Sequence, residues 1–243
     1  MESTIAIVGR GRLGPALAGA LSAAGHSVTG PLGRGADGAS ADIVLLCVPD
    51  GEIATAAGAL NARDGLLVGH CSGATPLDVL APHEGFGLHP LMTVPRGGAG
   101  AFAGAPAAVG GTTERALATA EALARSLGMH PFAVADEDRA AYHAAAAIAS
   151  NFLTTLEAAA ERLAATAGVP REALVPLVRA SVDNWAALGG AAALTGPIAR
   201  GDEATVERHR EAIARRAPDL APLFDALAAA TRTLAGRPTE VPA

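Results

Sequence analysis

The sequence predicts an α/β protein: a parallel sheet with crossover helices, followed by a smaller all-helical domain. Three observations carry this. An apolar run, Thr4–Val8, leads straight into Gly9-Arg10-Gly11-Arg12-Leu13-Gly14 and then into a helix pattern. Short apolar runs keep alternating with helix patterns as far as Ala133, as crossover-connected strands require. Beyond Asp136 no strand pattern remains. The expected domains are residues 1–135 and 136–243.

Strands are expected at Thr4–Val8, Ser27–Thr29, Ile43–Val48, Leu66–Gly69, Gly85–Leu88, Ala107–Val109 and His130–Ala133. Helices are expected at Arg12–Ala24, Gly51–Leu60, Pro76–Leu80 and Thr113–Leu127. Gly30–Ala41 is short and glycine-rich, so the second crossover must be abbreviated. In the second half, Asp136–Ala167 reads as one long helix, then Pro170–Leu188, Asp202–Arg215 and Pro218–Leu234. Pro170 and Pro218 suit first-turn positions and Asp202 suits an N-cap. The tail from Gly236 is expected to fray.

Between a strand and a helix, Gly-x-Gly-x-x-Gly is a Rossmann-type dinucleotide signature. Gly9 allows the tight turn, Gly11 lets backbone approach a pyrophosphate, and Gly14 lets helix pack on strand. The amides of the helix start, around Arg12 and Leu13, then face the anion. An NAD-binding fold places an acid at the end of the second strand to hold the ribose. Here the strand ends Thr29-Gly30-Pro31, and Arg34 lies twenty positions after Gly14. With Arg10 and Arg12 it predicts NADP over NAD, because guanidinium matches phosphate oxygens. Asp37 is the alternative, serving the ribose of NAD. A wholly apolar central strand ends Val48-Pro49-Asp50 at the carboxyl edge, where the backbone is expected to line the cofactor.

Composition narrows the function classes. A formal charge of −6, with no basic run, argues against nucleic acid. No apolar stretch reaches the ~18 uncharged residues a membrane span needs. Glu2 and an immediate strand argue against a signal peptide, so a cytoplasmic protein is expected. Cys47 and Cys71 read as free thiols in or beside core strands, and no Cys/His cluster has metal spacing.

Reduction of a carbonyl or imine needs a proton donor and a polar group that holds the substrate. His89, followed by Pro90 at a strand's carboxyl end, suits the first task; the alternative is a strand-end cap. Ser72-Gly73 follows another strand at the same edge. Ser72 could bind substrate, orient His89, or cap the turn before Pro76. His143, Ser150 and Asn151 punctuate an alanine-rich helix, with Asn151 ~80° around from His143 at helical spacing. Buried there they need partners, in a cleft between domains, between helices or at a dimer seam. The connector Leu194–Asp202 is expected to shape a pocket or an interface.

Together, the glycine motif, Val48-Pro49-Asp50, Ser72-Gly73, His89-Pro90, Tyr142-His143 with Ser150-Asn151, and Thr195-Gly196-Pro197 with Arg200-Gly201-Asp202 define a resemblance. They resemble Rossmann-like oxidoreductases carrying the C-terminal domain of unknown function 2520. That family looks like a branch of the 6-phosphogluconate dehydrogenase-like superfamily, related to ketopantoate reductase, pyrroline-5-carboxylate reductase and hydroxyisobutyrate dehydrogenase. The resemblance covers nearly the whole chain and implies a Rossmann domain, a helical domain and a homodimer formed through the helices. Hydroxy-acid dehydrogenases of that superfamily carry a catalytic Lys on the first interdomain helix with an Asn one turn later. This chain has no Lys; His143 and Asn151 stand in those regions at longer spacing. His89-Pro90 and Ser72 are also similar to elements of prephenate dehydrogenases.

The expectation is an NADP-dependent oxidoreductase that moves a hydride to or from a small polar carbonyl, hydroxy or imine compound at the interdomain cleft. His143 or His89 would handle the proton, and Ser72 and Asn151 would orient the substrate. The alternatives are a catalytically silent nicotinamide-nucleotide sensor or interaction protein, and a deazaflavin-dependent NADP reductase.

Overall fold

The computed structural model describes residues 3–38, 40–94 and 102–236. Glu2 and the expected tail beyond Gly236 therefore lie outside the described residues. Seven strands form one sheet: β1 (Thr4–Val8), β2 (Ser27–Leu32), β3 (Ile43–Leu46), β4 (Leu67–His70), β5 (Glu84–Pro90), β6 (Pro106–Gly111) and β7 (His130–Ala133). Their order is β2-β1-β3-β4-β5-β6-β7. The first five run parallel, with Ile5 beside Ile43, Ile43 beside Leu67, and Leu67 beside Glu84. The expectation of a parallel sheet needs one correction: β6 runs antiparallel to β5, with Leu88 beside Val109. No helix pattern separates these two strands in the sequence, and only a crossover returns a chain parallel.

The central strands are buried on both faces, which is why they read as unbroken apolar runs. On one face Ile5, Ile7 and Leu45 pack with Leu17 and Leu21 of α1 (Leu13–Ala23) and with Ala120 and Leu123 of α3 (Glu114–Ser126). On the other face Ala6, Val44 and Leu46 pack with Ile53 and Ala57 of α2 (Ile53–Gly58). Thr113 caps α3, its hydroxyl accepting the Ala116 amide.

Several elements differ from their expected bounds. β2 runs on to Leu32, past the expected end at Thr29. The expected helix Pro76–Leu80 is a single 3₁₀ turn, Leu77–Leu80. Pro82 limits it, because the residue before a proline is driven to extended backbone, as Ala81 is at ψ 141°. The expected long helix Asp136–Ala167 is divided. A 3₁₀ turn (Asp136–Asp138) precedes α4 (Arg139–Ala147), a π-helical segment (Ile148–Phe152) follows, and α5 (Leu153–Ala165) completes it. Thr154 and Thr155 donate their hydroxyls to the carbonyls of Ser150 and Asn151, at 3.1 and 3.0 Å. These hydroxyls serve backbone acceptors where the regular α-helical ladder is interrupted.

The chain forms two compact units, 1–149 and 150–243. The boundary expected from sequence lies at 135/136. α4 lies within the first unit because Arg139, at its start, is buried against β5 and β6. In the second unit every described element is helical: α5, α6 (Arg171–Leu188), the short α7 (Gly190–Ala193) and α8 (Pro197–Arg200), α9 (Glu203–Arg216) and α10 (Ala221–Leu234). Asp202 caps α9 as expected, accepting the Thr205 amide at 3.0 Å. Pro170 is the N-cap residue of α6 rather than a first-turn residue.

Candidate functional site

Between β1 and β3 the sheet changes direction of winding, and in open α/β sheets ligands bind at such a switch point. The glycine motif lies there. Gly9 has φ +124°, and a Cβ on it would collide with the Cys47 carbonyl at the end of β3. A Cβ on Gly14 would strike the Gly9 carbonyl, so the turn closes only with glycine at both positions. Gly11 differs: its Cβ position meets nothing within 4 Å. The turn thus presents bare backbone outward at its second glycine. The first turn of α1 carries no acidic residue and no side-chain cap, leaving its amides for an anion.

A cleft of about 550 Å³ extends from this turn along Gly33, Arg34, Pro49 and Glu52. Val48 lines it as well, and Asp50 opens the 3₁₀ turn that follows Pro49. At its rim Arg34 pairs with Glu52 at 2.7 Å. The Arg10 guanidinium carbon lies 3.5 Å from the place a Gly33 Cβ would take. Arg12 is exposed at the start of α1. Leu32-Gly33-Arg34 closes β2 without an acid of its own, and Glu52, beyond β3, is the carboxylate that meets Arg34. These residues fit a dinucleotide bearing an additional phosphate. A larger hollow, about 870 Å³ around Asp42 and Arg115, has these charges spent on the protein itself. Asp42 accepts from Thr4, and Arg115 pairs with Glu84.

A second group of side chains gathers at the carboxyl ends of β4 and β5. His89 Nδ1 and the Tyr142 hydroxyl are 2.7 Å apart. The His89 and His143 rings meet edge-on, centroids 5.8 Å apart. A Cβ on Gly73 would stand 2.7 Å from His143 Cδ2 and 3.0 Å from His89 Nδ1, so both imidazoles rest against that glycine. Burial first, then the neighbouring His143 and Arg139, push the His89 imidazole down to about 4, against an opposing pull from Asp50. His89 is therefore neutral at physiological pH. Burial raises the Tyr142 phenol above its ordinary range, while Arg139 opposes that rise.

Ser72 is buried, and its hydroxyl accepts the Ala74 and Thr75 amides at 3.2 and 3.0 Å. Its own amide donates to His70 Nδ1 at 3.2 Å. This is the turn-capping geometry, and it leaves the hydroxyl proton as a donor. His143 belongs to the first unit; Asn151 is exposed in the π-helical segment and belongs to the second. The ~80° relation expected of an unbroken α-helix does not apply across that segment.

Tyr142, Arg139, Asp136 and His70 have no role in the expectations drawn from sequence. Arg139 is 2% exposed, and its Nε pairs with Asp136 at 2.6 Å. Asp136 also accepts the Leu77 amide, at 3.0 and 3.1 Å. A Cβ on either Gly87 or Gly110 would lie 2.6 Å from an Arg139 nitrogen, so those glycines form its slot. The paired glycines of β5 and β6 were the signal that could have found it. Cys47 and Cys71 are free thiols, their sulfurs 3.8 Å apart. Among the described residues no three His, Cys, Asp or Glu side chains are grouped to hold a metal.

Fold and site define a Rossmann-like protein with a helical C-terminal unit. The chain belongs to the family with the domain of unknown function DUF2520, whose profile matches residues 105–231. A Rossmann-like domain profile matches residues 32–95. The expected family resemblance is therefore met. No curated protein matches the sequence. Among solved structures, the chain is similar to Bacteroides fragilis BF3122, for which an NADP oxidoreductase activity has been proposed. Identity is 22%, over 97% of this chain and 99% of that one, with a TM-score of 0.81. Thermotoga maritima TM1727 is 25% identical over 96% and 98% of the two chains, with a TM-score of 0.76. The reductive aminase of Aspergillus terreus, solved with NADPH and ethyl levulinate, is 16% identical over 98% and 97%, with a TM-score of 0.69.

Proposed function

We propose that this protein is an NADP-dependent oxidoreductase acting on a small polar carbonyl, hydroxy or imine compound. One observation carries the reading: the glycine turn with its arginine-bearing cleft and the His89–Tyr142–His143 group share the carboxyl edge of one sheet. Gly9, Gly11 and Gly14 shape the diphosphate seat, and Arg10, Arg12 and Arg34 favour NADP over NAD. Leu13 belongs to the helix start whose amides face the anion, and Val48, Pro49 and Asp50 line the neighbouring strand end. When bound, the cofactor supplies or accepts the hydride. His89 or His143 handles the proton; Ser72 and Asn151 orient the substrate. That BF3122 carries an NADP oxidoreductase proposal, and that the Aspergillus reductive aminase was solved with NADPH, supports the cofactor assignment.

The test has two stages. NADPH fluorescence measures cofactor binding, and absorbance of the reduced nicotinamide then follows a panel of oxo acids, other carbonyls, imines and cyclic amines. Turnover of one class supports the reading. Binding without any turnover identifies the sensor instead, and absence of binding removes both.

We infer also that the chain is a homodimer joined through its helices. No described residue of α5 or α6 is buried, and Leu177, Trp185 and Leu188 on α6 are each at least 60% exposed. Apolar helix faces of this extent cover a partner in stable proteins. Sedimentation of the wild type and of Trp185→Glu tests it: a wild-type monomer rejects the idea. Two cysteines read as free thiols favour the cytoplasm. Among the described residues no helix is long and apolar enough to cross a membrane.

A further inference from the structure

We propose that Tyr142 and His89 form a two-residue proton relay, with Tyr142 holding His89 as the Nε2–H tautomer, and that the group it serves is a carbonyl oxygen. This rests on the oxidoreductase reading above. The phenol and His89 Nδ1 are 2.7 Å apart, and no other polar contact engages the described His89 ring. A phenol is the better donor and an imidazole nitrogen the better acceptor, so the bond runs from Tyr142 O–H to Nδ1. The remaining ring proton is then on Nε2, the outer end of the pair. Packing supports this geometry. The His143 ring meets the His89 ring edge-on, Gly73 lies against both, and Phe132 meets the Tyr142 ring with centroids 5.9 Å apart.

Electrostatics suits a relay better than a cation. Burial keeps the His89 ring neutral at working pH, so it gives up a proton only if one arrives on its other nitrogen. The titratable and charged groups that act on the pair are His143 and Arg139 of α4 and Asp50 beyond β3. The step balances as follows. The Nε2–H bond breaks as an O–H bond forms on an oxygen gaining negative charge. The Tyr142 O–H bond breaks as Nδ1–H forms. His89 remains neutral in its other tautomer, and Tyr142 becomes a tyrosinate, which burial disfavours and the Arg139 charge only partly offsets, so that it is promptly reprotonated from solvent. A carbonyl oxygen takes up such a proton on reduction. An imine is reduced as its iminium ion, which already carries its proton and takes none at the hydride step, so the relay points to carbonyl substrates. Tyr142 is thus a positioning residue that acts through His89.

The test needs no substrate for its first arm. ¹⁵N-detected NMR of the full-length protein near neutral pH reads the His89 tautomer. The wild type is expected to carry the proton on Nε2, and Tyr142→Phe to populate Nδ1–H. A wild-type Nδ1–H ring, or a tautomer unchanged in the variant, overturns the relay. Tyr142 is the chain's single tyrosine, so tyrosinate absorbance reports it alone. A tyrosinate signal at neutral pH in the resting protein also overturns it. In the second arm, Tyr142→Phe lowers kcat on a carbonyl substrate by on the order of tenfold or more, with KM little changed. Turnover of iminium compounds but of no carbonyl rejects the substrate class. Failure to bind NADPH removes the oxidoreductase reading, while the tautomer measurement still decides the Tyr142–His89 lock.

Discussion

Acid should loosen the sheet unit through His70. This side chain is 0% exposed, and its Nδ1 accepts the Ser72 amide at 3.2 Å. Its imidazole is pushed from 6.5 down to about 4, first by burial and then by Arg139, against the Pro76 carbonyl, Asp50 and Asp136. The unfolded chain takes up this proton near pH 6.5 and the folded one only near 4. Between these values the unfolded state binds more protons, so stability falls as pH falls. The single-site linkage relation gives a loss of about 2 kcal/mol by pH 5 and about 3 kcal/mol by pH 4. His89, lowered for similar reasons but only half-buried, adds a smaller amount in the same window. Urea unfolding followed by circular dichroism at pH 7 and pH 5 measures the total. His70→Asn isolates the His70 share: the amide can still accept from Ser72 but does not titrate. The variant should lose about 2 kcal/mol less than the wild type between the two pH values. An equal loss in both proteins would refute the argument that burial keeps His70 neutral.

Three further outcomes are expected. Gly9→Ala drives a Cβ into the Cys47 carbonyl at φ +124°; it should cost about 1–3 kcal/mol in urea unfolding and abolish measurable NADPH binding. Arg34→Ala should weaken NADPH binding about tenfold while leaving NADH nearly unchanged, read by fluorescence titration of both; a parallel loss for both cofactors would place Arg34 away from the extra phosphate. Asp136→Asn leaves the buried Arg139 charge without its partner, and should destabilise the protein by about 3 kcal/mol. A change in unfolding free energy under about 0.5 kcal/mol would mean that solvent already screens that pair.

Much of the fold was legible in one dimension. Seven strands appear near their expected places because buried parallel strands must be short apolar runs bounded by turn residues. The glycine turn was legible for a similar reason: its steric demands on Gly9 and Gly14 are local and are written in adjacent residues. The sequence also showed that no acid ends β2. The direction of β6, the one-turn fate of Pro76–Leu80 and the π-helical break at Ile148–Phe152 were not legible, since each depends on what the segment packs against or pairs with.

What the sequence determined by itself was the class of fold, the place of the nucleotide seat and the list of histidines worth attention. Periodicity and turn chemistry are properties of neighbouring residues, so they survive without coordinates. Only the tertiary structure decided that His89 meets Tyr142, which is 53 positions further along the chain. Only it showed Arg139 in a slot made by two glycines on adjacent strands. Protonation is set by distance and burial in three dimensions, so the same imidazole that titrates near 6.5 in an open chain is neutral here down to about 4.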